Sequence, residues 1–258
     1  MLASAALHAG WNALVAGAQD THATAAVAML TGVVAFAVPA ALTWRVEHEA
    51  IPYIAASAAL ELAYFALLAA VYTRADLSFA YPVARGSAPV LVLVISVVFL
   101  GAAVSLLAAL GVLAITAGVL LVRGVGTDAV DVSSLVLALG VGGCIAGYTL
   151  VDDHGVRYAN AIPYFEIVLL LAAVPYAAVV GTTRLRKAVN RRSLPAGVGM
   201  ASAYLLVLAA LERSEAAPVA ALRETSVVIA AAFARERTNT RLLGSVIVVA
   251  GIAAVALG

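Results

Sequence analysis

Apolar residues run almost unbroken along this chain, and the polar ones gather into short interruptions. The runs lie near 1–17, 23–44, 52–72, 79–100, 103–123, 132–151, 162–181, 194–211, 216–234 and 240–257. Between them stand brief polar stretches such as Gln19-Asp20-Thr21, Arg45 to Glu49, Asp152 to Asn160 and Thr182 to Ser193. Most runs come close to the length of about 20 residues that an α-helix needs to cross a bilayer. Backbone N–H and C=O groups in lipid have to be satisfied within their own segment, which makes the runs helices and not strands. The pattern predicts an all-α membrane protein of ten transmembrane helices. Its weakest boundary falls between the fourth and fifth runs, where only Gly101-Ala102 intervene and a single broken helix is the rival reading.

The runs repeat. Ala9-Gly10-Trp11 returns as Ala146-Gly147-Tyr148, and Ala37-Val38-Pro39-x-Ala41 returns as Ala173-Val174-Pro175-x-Ala177. Ala63-Tyr64 matches Ala203-Tyr204, Arg85 with Ser87 matches Arg223 with Thr225, and Leu110-Gly111 followed by Ala117-Gly118 matches Leu243-Gly244 followed by Ala250-Gly251. Five matches in order, at offsets between 133 and 140, point to two copies of a five-helix unit, 1–124 and 125–258. Because five is odd, the second copy enters the membrane from the opposite side. Such inverted repeats are the architecture of many secondary transporters, whose halves move about a central site.

Composition agrees with this. The 258 residues are 64% hydrophobic and 11% charged, with a mean hydropathy of +1.07, against about 45–50% apolar and about 25% charged in ordinary globular domains. A water-soluble enzyme and a receptor with a large extramembrane part are excluded. The formal charge of +1 suggests no polyanionic partner, and nucleic acid is excluded as one. Cys144, the only cysteine, reads as an inert packing residue in an apolar run. Residues 1–17 lack the basic start of a signal peptide and read as a first membrane helix. In a ten-helix topology, the loops on the side of the termini hold Arg45, Arg157 and Arg213. The other side holds ten basic residues: Arg74, Arg123, Arg184, Arg186, Lys187, Arg191, Arg192, Arg235, Arg237 and Arg241. The positive-inside rule then puts the termini outside the cytoplasm. Thr182 to Ser193, with five basic residues, reads as a loop touching lipid headgroups.

Charged residues within the runs carry the candidate chemistry. Glu61 lies about ten residues into the third run, near the bilayer midplane, where charge is costly and faces a cavity or a partner. At 100° per residue, Ser57, Glu61, Tyr64 and Tyr72 share one helix face. One reading makes Glu61 a proton-binding carboxylate with Tyr64 and Tyr72 along the solute path. The other makes it structural. Ser4, His8 and Asn12 recur at four-residue spacing beside Trp11, and serve either as solute and proton contacts or as interhelical hydrogen-bond partners. Arg85 and Arg223 could contact an anionic solute, but snorkelling to headgroups is the stronger reading. Pro82 and Pro89 either open the fourth helix near the site or kink it for packing. Glu166 reads as an interfacial anchor. Asp152-Asp153-His154 reads as a solvated turn and not a metal cluster. No cofactor or metal is required.

The stretch Ala75-Asp76-Leu77-Ser78-Phe79-Ala80-Tyr81-Pro82-Val83-Ala84-Arg85-Gly86-Ser87-Ala88-Pro89 resembles the EamA-type members of the drug/metabolite transporter superfamily. Leu7-His8-Ala9-Gly10-Trp11-Asn12 and Ala217-Pro218-Val219-Ala220-Ala221-Leu222-Arg223-Glu224-Thr225-Ser226 resemble it too. The resemblance implies a ten-helix bundle in a bacterial inner membrane that moves small organic solutes, often outward and in exchange for protons. It also implies cytoplasmic termini, against the charge count. The chain departs from the pattern after Leu100-Gly101, where Ala102 replaces the usual Glu, although Glu236 stands near the corresponding place of the second copy. The expected function is a secondary transporter, an exporter of a small metabolite. Its candidate solute and proton path comprises Glu61, His8, Trp11, Asn12, Tyr64, Tyr72, Tyr81, Arg85, Tyr148, Tyr204 and Arg223. A membrane scaffold or regulatory protein is the alternative. An intramembrane enzyme is a weaker one, because the chain has no His-Glu-x-x-His and no Gly-x-Ser-x-Gly.

Overall fold

The computed structural model of the chain describes residues 1–74, 77–123, 131–226 and 239–257. Among them the regular structure is helical: α1 Leu2–Ala16, α2 Thr21–Leu42, α3 Ile51–Tyr72, α4 Leu77–Val98, α5 Leu106–Arg123, α6 Val132–Gly155, α7 Ala161–Val180, α8 Thr182–Ala188, α9 Ser193–Leu211, α10 Ala216–Arg223 and α11 Asn239–Leu257. A single 3-10 turn, His48–Ala50, leads into α3. Among the described residues, five helices are long and apolar enough to cross a membrane, Thr21–Leu42, His48–Tyr72, Val132–Gly155, Ala161–Val180 and Ser193–Leu211. The chain therefore has an all-α, membrane-type fold.

Local chemistry sets the helix ends. Asp20 caps α2 by accepting from Ala23 N at 3.0 Å, and Asp131 caps α6 by accepting from the amides of Ser133 and Ser134. These acceptors satisfy donors that have no intrahelical partner. Pro52 sits in the first turn of α3, where a missing N–H costs nothing. Gly181 ends α7 at φ +84°, a conformation that only glycine adopts without strain, and the chain turns there into α8. Gly101, at φ +66°, lies in the link between α4 and α5. The fourth and fifth runs are therefore two helices and not one broken helix.

Most of the extensive packing joins helices from the first half of the chain to helices from the second. α1 lies against α9, α2 against α7 and α9, α3 against α6 and α7, α4 against α6, and α5 against α11. The α5–α11 pair is the closest of these. A methyl group on Gly111 would come within 2.8 Å of the Gly251 carbonyl oxygen, and one on Gly251 within 2.7 Å of the Gly111 oxygen. Gly118 meets the Gly244 carbonyl in the same way, at 2.7 Å. Small residues permit this backbone approach, which is how helices associate where no water is left to expel. The loops join across the halves as well. Glu47 N donates to Tyr158 O at 2.8 Å and Asn160 N to Arg45 O at 2.9 Å, around a bridge between Val46 and Ala159.

Two expectations change here. Asp152, Asp153 and His154 are not a loop, because α6 continues through them to Gly155, and Asp152 is buried. Glu166, in the second turn of α7, is buried and not an interfacial anchor. Cys144 is partly buried and packs against the core.

Candidate functional site

The bundle centre holds a cluster of aromatic side chains from five helices. His8 and Trp11 come from α1, Glu61, Tyr64 and Phe65 from α3, Tyr148 from α6, Phe165 and Leu169 from α7, and Met200 and Tyr204 from α9. They line a cavity of about 20 Å³, room for about one water molecule. The rings meet edge-on. Tyr64 packs on Phe65 at 4.9 Å and on Tyr148 at 5.9 Å, and Tyr148 packs on Tyr204 at 5.6 Å between centroids. Edge-to-face pairs of this kind add about 0.5–1.5 kcal/mol each beyond the area they bury.

Trp11 Nε1 donates to His8 Nδ1 at 3.0 Å. The ring proton of a neutral His8 then sits on Nε2, which has no hydrogen-bond partner among the described residues. A cavity-lining imidazole is thus left with a free donor. Asn12 and Tyr72 have a different place. Tyr72 Oη donates to Asn12 Oδ1 at 2.9 Å and Asn12 Nδ2 to His8 O at 2.9 Å, a latch between α1 and α3 away from the cavity lining. Ser4 Oγ likewise donates across to Ala203 O, at 2.7 Å. Of the residue types weighed both ways in the sequence, Asn12 and Ser4 serve as interhelical fasteners.

Asp152 is the residue the sequence reading missed. Its carboxylate is 1% exposed and accepts from Tyr164 Oη at 2.8 Å and from Tyr204 Oη. Ser57 on α3 stands beside it. Tyr204 also neighbours Glu61, which lies within electrostatic reach of both Asp152 and Arg223. Glu61 and Tyr204 line the same cavity, so a second buried carboxylate, from α3, stands near the Tyr204–Asp152 pair. The sequence reading marks Tyr204 as a candidate but not Asp152.

The arginines are not at a surface. Arg85 is 3% exposed, and its Nη1 meets Glu224 Oε1 at 3.3 Å. Arg223 is fully buried; its Nη2 donates to Tyr148 Oη at 3.3 Å, and its guanidinium carbon lies 5.6 Å from the Tyr148 ring centroid. Snorkelling fails because α10 is enclosed by α1, α4, α6 and α9, so its last turn points inward. Arg223 Nε and Nη1 have no hydrogen-bond partner among the described residues. Neither arginine lines the cavity, but Arg223 touches it through Tyr148. The side chains of Tyr81 and Pro82, and Glu236, lie outside the described residues.

The structure thus brings together Glu61, His8, Trp11, Tyr64, Tyr148 and Tyr204 around one space, places Arg85 and Arg223 behind it, and sets Asn12 and Tyr72 aside. Such a site can hold a proton, offer aromatic faces to a solute and donate one hydrogen bond from His8. Among the described residues, no three His, Cys, Asp or Glu side chains are grouped to hold a metal ion.

No protein-family model matches the chain, and no curated protein matches it. Among solved structures, the crystal structure of a protein is similar over 99% of this chain and 96% of its own, with a TM-score of 0.75 and 14% sequence identity. At that identity the likeness shows the fold alone.

Proposed function

We propose that the chain is a secondary transporter of the EamA type, with ten transmembrane helices in two inverted five-helix repeats. It moves a small organic metabolite outward across the bacterial inner membrane in exchange for protons. The observation that carries this reading is the pair of buried carboxylates, Glu61 and Asp152, near Tyr204 beside a central cavity lined from both halves. Ionisable groups are expensive at such depth and mark solute or proton pathways.

Charge bookkeeping supports proton coupling. Around the cavity, Arg85 and Arg223 face Glu61, Asp152 and Glu224, two cations against three carboxylates. The set is neutral when one carboxylate carries a proton. Glu61, which lines the cavity, is the proton carrier, and the Tyr204 hydroxyl links it to Asp152. A space of about one water is too small for an organic solute, so the cavity has to widen before one can bind. Solute enters when the halves move apart on one side.

The repeat has structural support too. Pro39 and Pro175 both lie near the C-terminal ends of their helices, α2 and α7. The α2–α3 and α6–α7 loops pair with each other, and Gly111 and Gly251 exchange equivalent contacts.

The test is flux into proteoliposomes under an imposed pH gradient, with a panel of small metabolites. The expected result is gradient-driven movement of at least one solute class that Glu61→Gln abolishes while the variant stays folded. Folded protein that moves no solute under any gradient overturns the reading, and unchanged flux in Glu61→Gln overturns the role of Glu61.

A further inference from the structure

A second cavity lies where α1 and α8 end and α2 and α9 begin. It measures about 630 Å³ and is lined by Arg184, Lys187, Arg191 and Arg192, with Asp20 as the one carboxylate. Two of the four cations are spent on building its walls. Arg184 grips Asp20 in a bidentate pair, Nε to Oδ2 at 2.9 Å and Nη2 to Oδ1 at 2.8 Å, which ties α8 to the start of α2. Arg192 Nη1 donates to Gly17 O at 2.7 Å, on the residue that caps α1. The turn that carries Arg191 and Arg192 is fixed as well. Asn190 Oδ1 accepts from the amides of Arg192 and Ser193, at 2.8 and 3.2 Å, while Asn190 N donates to Ser193 Oγ at 2.9 Å.

Lys187 and Arg191 remain. Both are exposed, and neither has an ion pair among the described residues. They line a cavity with an excess of positive charge, and no carboxylate among the described residues pairs with them. Val189, between them in the chain, is exposed, as are Leu194 in the first turn of α9 and Val179 near the end of α7. Cations next to exposed aliphatic side chains, at the ends of membrane-length helices, match a molecule with an anionic head and apolar tails.

We propose that this cavity is a binding site for the headgroup of an anionic phospholipid, with Lys187 and Arg191 on the phosphate and the acyl chains over Val179, Val189 and Leu194. A soluble phosphate compound would satisfy the cations and leave that apolar rim in water. The site stands apart from the central cavity and does not depend on what the protein transports.

The test uses the purified full chain in neutral detergent. Phosphatidylglycerol, phosphatidylcholine or glycerol phosphate is added, and the thermal unfolding midpoint is followed, since a ligand that binds the folded state raises it. The expected result is a rise of several degrees with phosphatidylglycerol, little change with the other two, and loss of most of the rise in the double variant Lys187→Ala, Arg191→Ala. Without lipid, that variant unfolds within about a degree of the parent, because neither side chain holds an ion pair. An equal rise with phosphatidylcholine, or a phosphatidylglycerol effect that survives the double variant, overturns the site. An equal rise with glycerol phosphate makes it a site for soluble phosphate and overturns the lipid assignment.

Discussion

Arg85 and Glu224 stand 139 residues apart in sequence, yet their side chains meet at 3.3 Å in the bundle interior, both nearly without solvent exposure. The pair fastens α4 to the end of α10. Arg223 Nε lies 3.9 Å from the same carboxylate oxygen, so Glu224 serves two cations. Removing one partner of a buried pair costs about 3–5 kcal/mol, whereas replacing both with neutral groups often costs much less. Glu224→Ala is expected to destabilise the protein on that scale. The double variant Arg85→Met, Glu224→Leu is expected to lose less than either single change, and unfolding titrations of the set check it.

Asp152 is expected to behave as a structural as well as a proton-linked group. Tyr164→Phe removes one hydrogen bond to a carboxylate, worth about 1.5–3 kcal/mol. Asp152→Ala leaves two buried hydroxyls without their acceptor and should cost more. In a double-mutant cycle the two changes should be non-additive, by at least about 0.5 kcal/mol. Additive losses would mean that Tyr164 and Asp152 do not interact in the membrane.

The α5–α11 contact predicts opposite outcomes for two glycines. A methyl on Gly118 would meet backbone atoms of Gly244 and Val248 within 3 Å, while one on Gly10 in α1 would meet nothing within 4 Å. Gly118→Ala should destabilise by about 1–3 kcal/mol through overpacking. Gly10→Ala should be neutral or stabilising, by up to about 1 kcal/mol, through helix propensity. Folded yield and thermal midpoint distinguish them.

Acid should weaken the brace between Asp20 and Arg184. The hydrogen bond from Arg184 holds the Asp20 carboxyl below the ordinary value of 3.8, and the backbone N–H of Ala23 adds to this. A carboxyl with a lowered folded value stabilises above the unfolded value and loses that contribution as pH falls through the folded one. The thermal midpoints of the parent and Asp20→Asn should therefore differ at pH 6 and converge as the pH falls below 3.8 and through the lowered folded value. Both partners are substantially exposed, so the difference is small. A constant gap across this range would rule out the carboxylate as its source.

Orientation can be read from Val189, which is exposed in the basic turn after α8. With Cys144→Ser as background, reaction of Val189→Cys with impermeant maleimide only from the cytoplasmic side would support the charge count of ten basic residues against three. Reaction only from outside would favour the topology of the EamA-type transporters instead.

Much of the fold was legible because length and apolarity are local properties. The runs at 23–44, 52–72, 132–151, 162–181 and 194–211 are helices within a few residues of those bounds. Glu61 was legible for the same reason, since a charge in mid-run has to be buried. Asp152 was not. Asp-Asp-His followed by Gly155 has the composition of a turn, and what keeps it helical and dry is Tyr164 and Tyr204, donors from two other helices. Arg223 misled likewise: near a helix end, snorkelling is the ordinary outcome, and only the helices around α10 deny it a path to the surface. Glu224, beside it in the sequence, carried no sign of its partnership with Arg85.

The packing of first-half helices against second-half ones bears on how the protein comes into being. Most helices among residues 1–124 find their principal neighbour in the later part of the chain. At roughly 5–20 residues per second, the ribosome needs on the order of ten seconds to deliver that later part. Until then the early helices sit in the bilayer with Glu61 lacking Tyr204, Arg85 lacking Glu224, and the glycine face of α5 bare. The nascent chain is thus committed to a long wait in an unfinished state, and quality control in the membrane has that interval in which to act.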